Sequence, residues 1–320
     1  MIKVKKGHIL SFAISLLLLI VLFSRVDFSE VFSILANANP LYIILGALCS
    51  FSVLGLRLIR WRVFLDAYKL KINRFDSASS YLASQFLANL TPARIGEASR
   101  AYFLKRRYKT SFFYMIPAVL IERFIDTAVL LLISLVFFAF FSFFVSTELK
   151  LMLFIVSFLL LALLIIILNK RLAGWSSKQF FRLFSFISLV RKVRPELEKK
   201  MESFYKGLVT LKSMKTFQIF VLTCLCYVFE GAILYLAALS LSGPYLPYTF
   251  AVGFMSLAWI GGALSTLPGG IGSMDTILFA LLLLIGFAAP LAISITILYR
   301  FISFVLAVSF CSIFFLREAR

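Results

Sequence analysis

Long apolar runs separated by short charged stretches set the pattern of this chain. The first run, Ile9 to Phe23, follows three lysines within Met1 to Lys6 and ends in Ser24 and Arg25 with no small-residue cleavage pattern. It is read as a retained first span with its N-terminus inside. Residues 25–39 then set Val26, Phe28, Val31, Phe32 and Leu35 roughly along one side, which predicts a short helix in the outer interface. Pro40 opens a second span to about Leu58, and Arg57, Arg60, Arg62, Lys69, Lys71 and Arg74 mark an inside loop after it.

The next apolar piece, Ala78 to Leu90, is too short to cross and meets Pro92 and Gly96. Lys105, Arg106, Arg107 and Lys109 follow, again an inside signature. A broken segment between two inside loops enters and returns by one face, which predicts a re-entrant hairpin. From Thr110 to about Val145 the chain crosses outward, turns at Glu148 and Lys150, and returns over 151–168. Residues 170–215 are dense in Lys and Arg, and predict a cytoplasmic basic segment with an interfacial helix pair around Pro195.

Residues 216–242 form another outward span, with Glu230 in its middle. After an outside turn at 242–248, the run 249–265 meets Pro268, Gly269, Gly270 and Gly272, a break that an intact helix holds only at high cost. A piece from Thr276 to Ile285 follows, so 249–287 is read as a second hairpin, entering from outside. The last span, 291–316, ends in Arg317 and Arg320, which places the C-terminus inside.

The expected architecture is therefore an all-α polytopic membrane protein, a single domain over 1–320 with about six full transmembrane helices and two re-entrant hairpins. Two halves, 8–145 and 151–316, share the order span, span, hairpin, span. Each has an odd number of crossings, so the second half is inverted relative to the first. Pro92, Ile95 and Gly96 match Pro268, Ile271 and Gly272, and Arg123 follows its proline by 31 residues where Arg300 follows its own by 32.

Composition agrees with this class. The chain is 62% hydrophobic with 37 Phe, and its continuous apolar runs exclude an alternating barrel pattern. In such a chain the net charge of +19 reflects inside loops facing anionic lipid rather than a nucleic-acid partner. The single histidine, His8, lies near the N-terminus, which excludes His-based zinc sites and catalytic triads from the membrane core. Cys49, Cys224, Cys226 and Cys311 sit in apolar segments and are read as inert packing. No metal or cofactor is expected.

Charges inside the spans are the candidate chemistry. Glu122 lies 12 residues past Thr110, about 18 Å of helix rise and close to the centre of a hydrocarbon core. Arg300 lies 10 past Pro290, about 15 Å in from the other face. Arg123 can pair with Asp126 one turn on, with Glu122 beside them. Arg300 has no acid in its own span and Glu230 no neighbouring base, so the two could pair with each other or meet a substrate. Asp275 is read as an N-terminal helix residue after the Gly272 break. The bland alternative is an ion-pair network that only locks helices together.

Asn89, Pro92, Arg94, Gly96, Glu97 and Arg100, then Glu122, Arg123 and Asp126, and later Pro268 to Gly272 with Tyr299, Arg300, Ser303 and Phe304, resemble the flippase-like family, also described as the lysylphosphatidylglycerol synthase transmembrane region. The resemblance covers essentially the whole chain. It implies a membrane module that moves aminoacylated phospholipid or handles polyprenyl-linked glycolipid. Ala93 stands where the family pattern leads one to expect Gly, and Asp275 where Glu is more usual. Nothing after Arg320 supplies an aminoacyl-transferase domain, so lipid aminoacylation by this chain is not expected.

The resulting expectation is a multi-pass cell-membrane protein whose hairpins frame a midplane cavity for a lipid headgroup, with no enzymatic activity. Arg94, Arg100, Arg123 and Arg300 would hold phosphate, while Glu97, Glu122, Asp126 and Glu230 balance charge or meet a cationic group. Partners would be a membrane phospholipid or polyprenyl-linked lipid and a lipid-modifying synthase. Two alternatives are a scaffold that anchors such a synthase through residues 170–215, and a lipid-carrier glycosyltransferase. The latter lacks a D-x-D metal pair or a nucleophile with its base.

Overall fold

The computed structural model describes residues 28–140, 213–265 and 267–319, and all of the regular structure in them is helical. The expected first span, the return at 151–168 and most of the basic segment 170–215 lie outside the described residues.

Helix α1 (Phe28–Ala36) is the short helix expected before the second span. Its Val31 is buried, while Phe32 points outward. Helix α2 (Pro40–Ala67) starts where proline can sit at low cost, since the first turn has no use for that N–H. Asn39 caps it by accepting the Leu41 N–H at 3.0 Å. The helix then runs nine residues beyond the expected end at Leu58. Arg57, Arg60 and Arg62, read above as loop cations, are helical residues, and Arg60 is buried.

Helix α3 (Arg74–Leu90) buries an unusual set of polar residues, including Ser77, Ser79, Ser80, Ser84 and Gln85. The hydroxyls of Ser80 and Ser84 donate to carbonyls one turn back, which settles their hydrogen-bonding demand within the helix. Pro92 cannot continue α3, and Pro92–Ala98 is a break with Ala93 at φ +51° and Arg94 at φ +54°. Thr91 Oγ1 stitches the break by donating to the Leu87 carbonyl and accepting the Gly96 N–H, each at 2.8 Å. Gly96 is required here because a Cβ would strike the backbone of Leu87 and Ala88. Helix α4 (Ser99–Tyr108) follows and packs back against α3.

Helices α5 (Phe112–Phe140), α6 (Ser213–Ser240) and α7 (Tyr248–Ser265) are long and apolar. A second break at Pro268–Gly270 puts Gly269 at φ +61° and Gly270 at φ +64°. Helix α8 (Ser273–Leu284) packs against α7, and α9 (Ala289–Arg300) continues through a π turn (Phe301–Val305) into α10 (Leu306–Ala319).

Helices α2 and α6 form the central pair, with α10 against α3 and α7 against α5, α6 and α8. Small residues permit close approach in α7, where Gly253 faces Phe137 and Gly261 faces Ile277, and in α6, where Gly231 faces Val252. One core gathers Ile233, Phe254, Leu278, Ile295 and Ile302, and a second gathers Trp61, Phe64, Tyr81, Leu104 and Met115. Large apolar side chains such as Leu41, Ile44 and Leu48 on α2 and Leu132 and Leu135 on α5 remain exposed on outer faces.

Among the described residues, five helical stretches are long and apolar enough to cross a membrane: Pro40–Ala67, Phe112–Phe140, Lys215–Ser240, Tyr248–Ser265 and Ala289–Ala319. Four coincide with expected full spans. The fifth, Tyr248–Ser265, was expected as one arm of a hairpin.

Candidate functional site

The two breaks touch each other, and charged residues of six helices, α2, α4, α5, α6, α8 and α9, gather around them. Arg60 on α2 is buried and donates to Glu122 at 2.5 Å, to Asp126, and to the Thr223 hydroxyl on α6 at 2.8 Å. Arg100 on α4 pairs with the other oxygen of Glu122 and lies 4.3 Å from the ring centre of Trp61 and 5.1 Å from that of Tyr81. Glu122 thus bridges two fully enclosed guanidiniums and shares its one negative charge between them, with Asp126 adding a second carboxylate at Arg60.

The next layer is more open. Arg123 pairs with Glu97 at 2.8 Å and with Asp126 at 2.6 Å, the latter being the one-turn pair expected from spacing. Arg94, placed by the left-handed backbone of the first break, donates to Glu97 at 2.7 Å and to Gln85 Oε1 at 2.8 Å, and lies over the Trp259 ring at 5.6 Å. Arg57 reaches Glu230 at 2.9 Å, and the Tyr299 hydroxyl donates to the same carboxylate at 3.2 Å.

Arg300 closes the second break. It donates to Asp275 and to the carbonyls of Gly269 and Gly270 at 3.1 and 3.0 Å, while Asp275 accepts the Gly272 N–H at 2.9 Å. The suggested Arg300–Glu230 pair is therefore replaced by two others, Arg300–Asp275 and Arg57–Glu230. Asp275 is both the helix-start residue expected and the arginine's partner.

Two adjoining cavities open on this network. The larger, about 270 Å³, is lined by Arg57, Arg94, Arg123 and Asp126 together with Tyr227 and Trp259. The smaller, about 40 Å³, is lined by Arg57, Arg94, Arg300, Glu230, Gln85 and Trp259 among others. Gly269 of the second break borders both.

Of the residues named from sequence, Arg94, Arg123, Asp126, Glu230 and Arg300 line these cavities. Glu97, Arg100 and Glu122 stand behind the wall as buried partners. Sequence reasoning passed over Arg57, Arg60, Gln85, Tyr227 and Trp259 as site residues. For the two arginines a cue existed, since Trp61, Phe64 and Leu65 continue an apolar helical face beyond them. Gln85, Tyr227 and Trp259 carried no such cue, because isolated polar and aromatic residues in apolar helices are ordinary.

An all-helical assembly with several membrane-length helices, outward apolar faces and an arginine-rich interior site defines an integral membrane protein. Residues 8–310 match the family described as Lysylphosphatidylglycerol synthase TM region, and the chain belongs to that family. It is also similar to a UPF0104 membrane protein of Methanocaldococcus jannaschii, 26% identical over 95% of this chain and 93% of the relative. A UPF0104 membrane protein of Methanothermobacter thermautotrophicus is 26% identical over 86% of this chain and 85% of its own length. One of Pyrococcus horikoshii is 24% identical over 94% and 93%.

Proposed function

We propose that the protein binds a lipid headgroup in the paired cavities and carries it between leaflets while the acyl or prenyl tails stay in the bilayer. The observation that carries this reading is the arginine-lined cavity of about 270 Å³ beside two broken helices. Guanidiniums held inside a membrane domain and still facing a cavity have a use that fully enclosed ion pairs do not. Their planar donor forks suit phosphate oxygens, and Tyr227 and Trp259 offer faces for the rest of a headgroup.

In this reading the two halves form inverted repeats, each with a re-entrant hairpin, and both termini lie on the cytoplasmic side. The backbone supports the repeat. Each break has two consecutive left-handed residues directly after its proline, Ala93 and Arg94 in one and Gly269 and Gly270 in the other. Each break is also tied to the arginine some thirty residues on, through Glu97 to Arg123 and through Asp275 to Arg300. Rocking of one half against the other would then expose the cavities to alternate sides.

The test is transfer of labelled phosphatidylglycerol across reconstituted vesicles, with mass spectrometry of the lipid that co-purifies. Arg94→Ala suits it because Glu97 keeps Arg123 as a partner, so the fold is not left with a lone buried charge. Loss of transfer in this variant is expected; undiminished transfer would remove the cavity from the proposal.

A further inference from the structure

Between them the two cavities are lined by four arginines, Arg57, Arg94, Arg123 and Arg300, against two acids, Asp126 and Glu230. Both acids are already engaged. Asp126 holds Arg60 and Arg123, and Glu230 holds Arg57 and the Tyr299 hydroxyl. Behind the wall, Glu97 and Asp275 are occupied by arginines in the same way. When Arg60, Arg100 and Glu122 are included with these, six arginines face five carboxylates and the balance stays positive. A cationic group entering here would meet no carboxylate without a guanidinium on it, and would sit in an unfavourable field.

The neutral donors point the same way. Gln85 Nε2 and Trp259 Nε1 are buried and have no hydrogen-bond partner among the described residues. Gln85 is only 3% exposed, and its Oε1 is taken by Arg94, which leaves the amide N–H end for something else. An indole nitrogen can only donate. Both residues line the small cavity, and Trp259 lines the larger one as well. Arg57 uses one nitrogen on Glu230, and Arg94 uses two of its three. Buried donors of this kind are normally met by an acceptor, and the cavity has room for a small one.

We propose that the paired cavities select a phosphate headgroup that carries no compensating amine. The phosphate oxygens take the small cavity between Gln85, Trp259, Arg57 and Arg94, and the uncharged remainder lies in the larger one against Trp259 and Tyr227. This rests on the headgroup reading above and narrows it, because an aminoacylated headgroup with net positive charge is the one rejected.

The experiment uses the full chain in phosphatidylcholine nanodiscs doped in turn with phosphatidic acid, phosphatidylglycerol or lysyl-phosphatidylglycerol, with retained lipid read by mass spectrometry. The two anionic lipids are expected to be retained about tenfold or more over the lysyl lipid. Trp259→Phe, which keeps the ring and removes the N–H, and Gln85→Glu should each lose that preference while the melting temperature stays close to the parent's. Equal retention of the lysyl lipid, or variants with unchanged preference, overturns the selectivity and leaves the headgroup site standing. Retention of none of the lipids overturns both readings. Inorganic phosphate is titrated in parallel: competition with phosphatidic acid is expected, whereas phosphate binding without any lipid binding assigns the oxyanion site to free phosphate and removes the lipid.

Discussion

Arg57 on α2 and Glu230 on α6 meet across the central helix pair, Nη2 to Oε1 at 2.9 Å, with only a small part of either side chain accessible. The two helices run antiparallel, with the Asn39 N–H donating to the Ser240 carbonyl at their shared end, and the long Arg57 side chain reaches along the pair to Glu230. Removing one partner strands a charge. Arg57→Met alone is expected to destabilise by about 3–5 kcal/mol, whereas the double replacement Arg57→Met with Glu230→Met recovers most of that loss. Thermal unfolding in detergent across the double-mutant cycle measures it; a double variant no better than the single would show that the pair is not the unit of stability.

Arg60 and Arg100 should behave differently from the cavity arginines. Both are enclosed, and Arg100 is held by Glu122 and by the faces of Trp61 and Tyr81. Lysine keeps the charge but loses the planar stack, so Arg100→Lys is expected to cost about 0.5–2 kcal/mol in stability. Lipid retention per folded molecule should remain unchanged. Parallel unfolding and lipid-retention measurements separate the two effects.

How much of this was legible before the structure depends on the kind of information each residue carries. Helix identity followed from apolar run length, and the breaks at Pro92 and Pro268 followed from what proline and glycine do to a helix. The pairing of Arg123 with Asp126 was legible because it is local, one turn along α5. Partners between helices were not, because spacing along the chain says nothing of which faces meet. Hence Arg300 found Asp275 rather than Glu230, although both acids were visible in the sequence. Arg57 and Arg60 were misplaced for a different reason: a charge cluster after an apolar run is ordinarily a loop, and here packing against α5 and α6 carried the helix through it.

Gly96 and Gly55 make a contrasting pair for alanine replacement. At Gly96 the new Cβ would collide with the backbone of α3 at Leu87 and Ala88, which cannot yield as a side chain tip could. A cost of about 1–3 kcal/mol is expected, together with displacement of the first break and reduced lipid retention. At Gly55 nothing lies within 4 Å of the added methyl, so alanine there should stabilise α2 by about 0.5–1 kcal/mol. Melting temperatures of the two variants should move in opposite directions from the parent.

The basic end of α4 offers a titration outside the spans. The Tyr108 hydroxyl donates to Asp76 at 2.7 Å, and this bond to a carboxylate pushes its ionisation above the ordinary tyrosine value. Burial adds to the rise, while the Asn73 N–H that Tyr108 accepts and the nearby Arg107 oppose it. Because the folded value is raised, the bond is fully present below the unfolded tyrosine value of about 10 and is lost as pH climbs through the folded one. Ultraviolet titration of the parent against Tyr108→Phe should therefore lose one tyrosinate from the late part of the curve. Asp76→Asn should move that component back toward the ordinary value, since the neutral amide no longer penalises the tyrosinate. A Tyr108 component that titrates at the ordinary value in the parent would mean that the bond between α3 and α4 does not hold in solution.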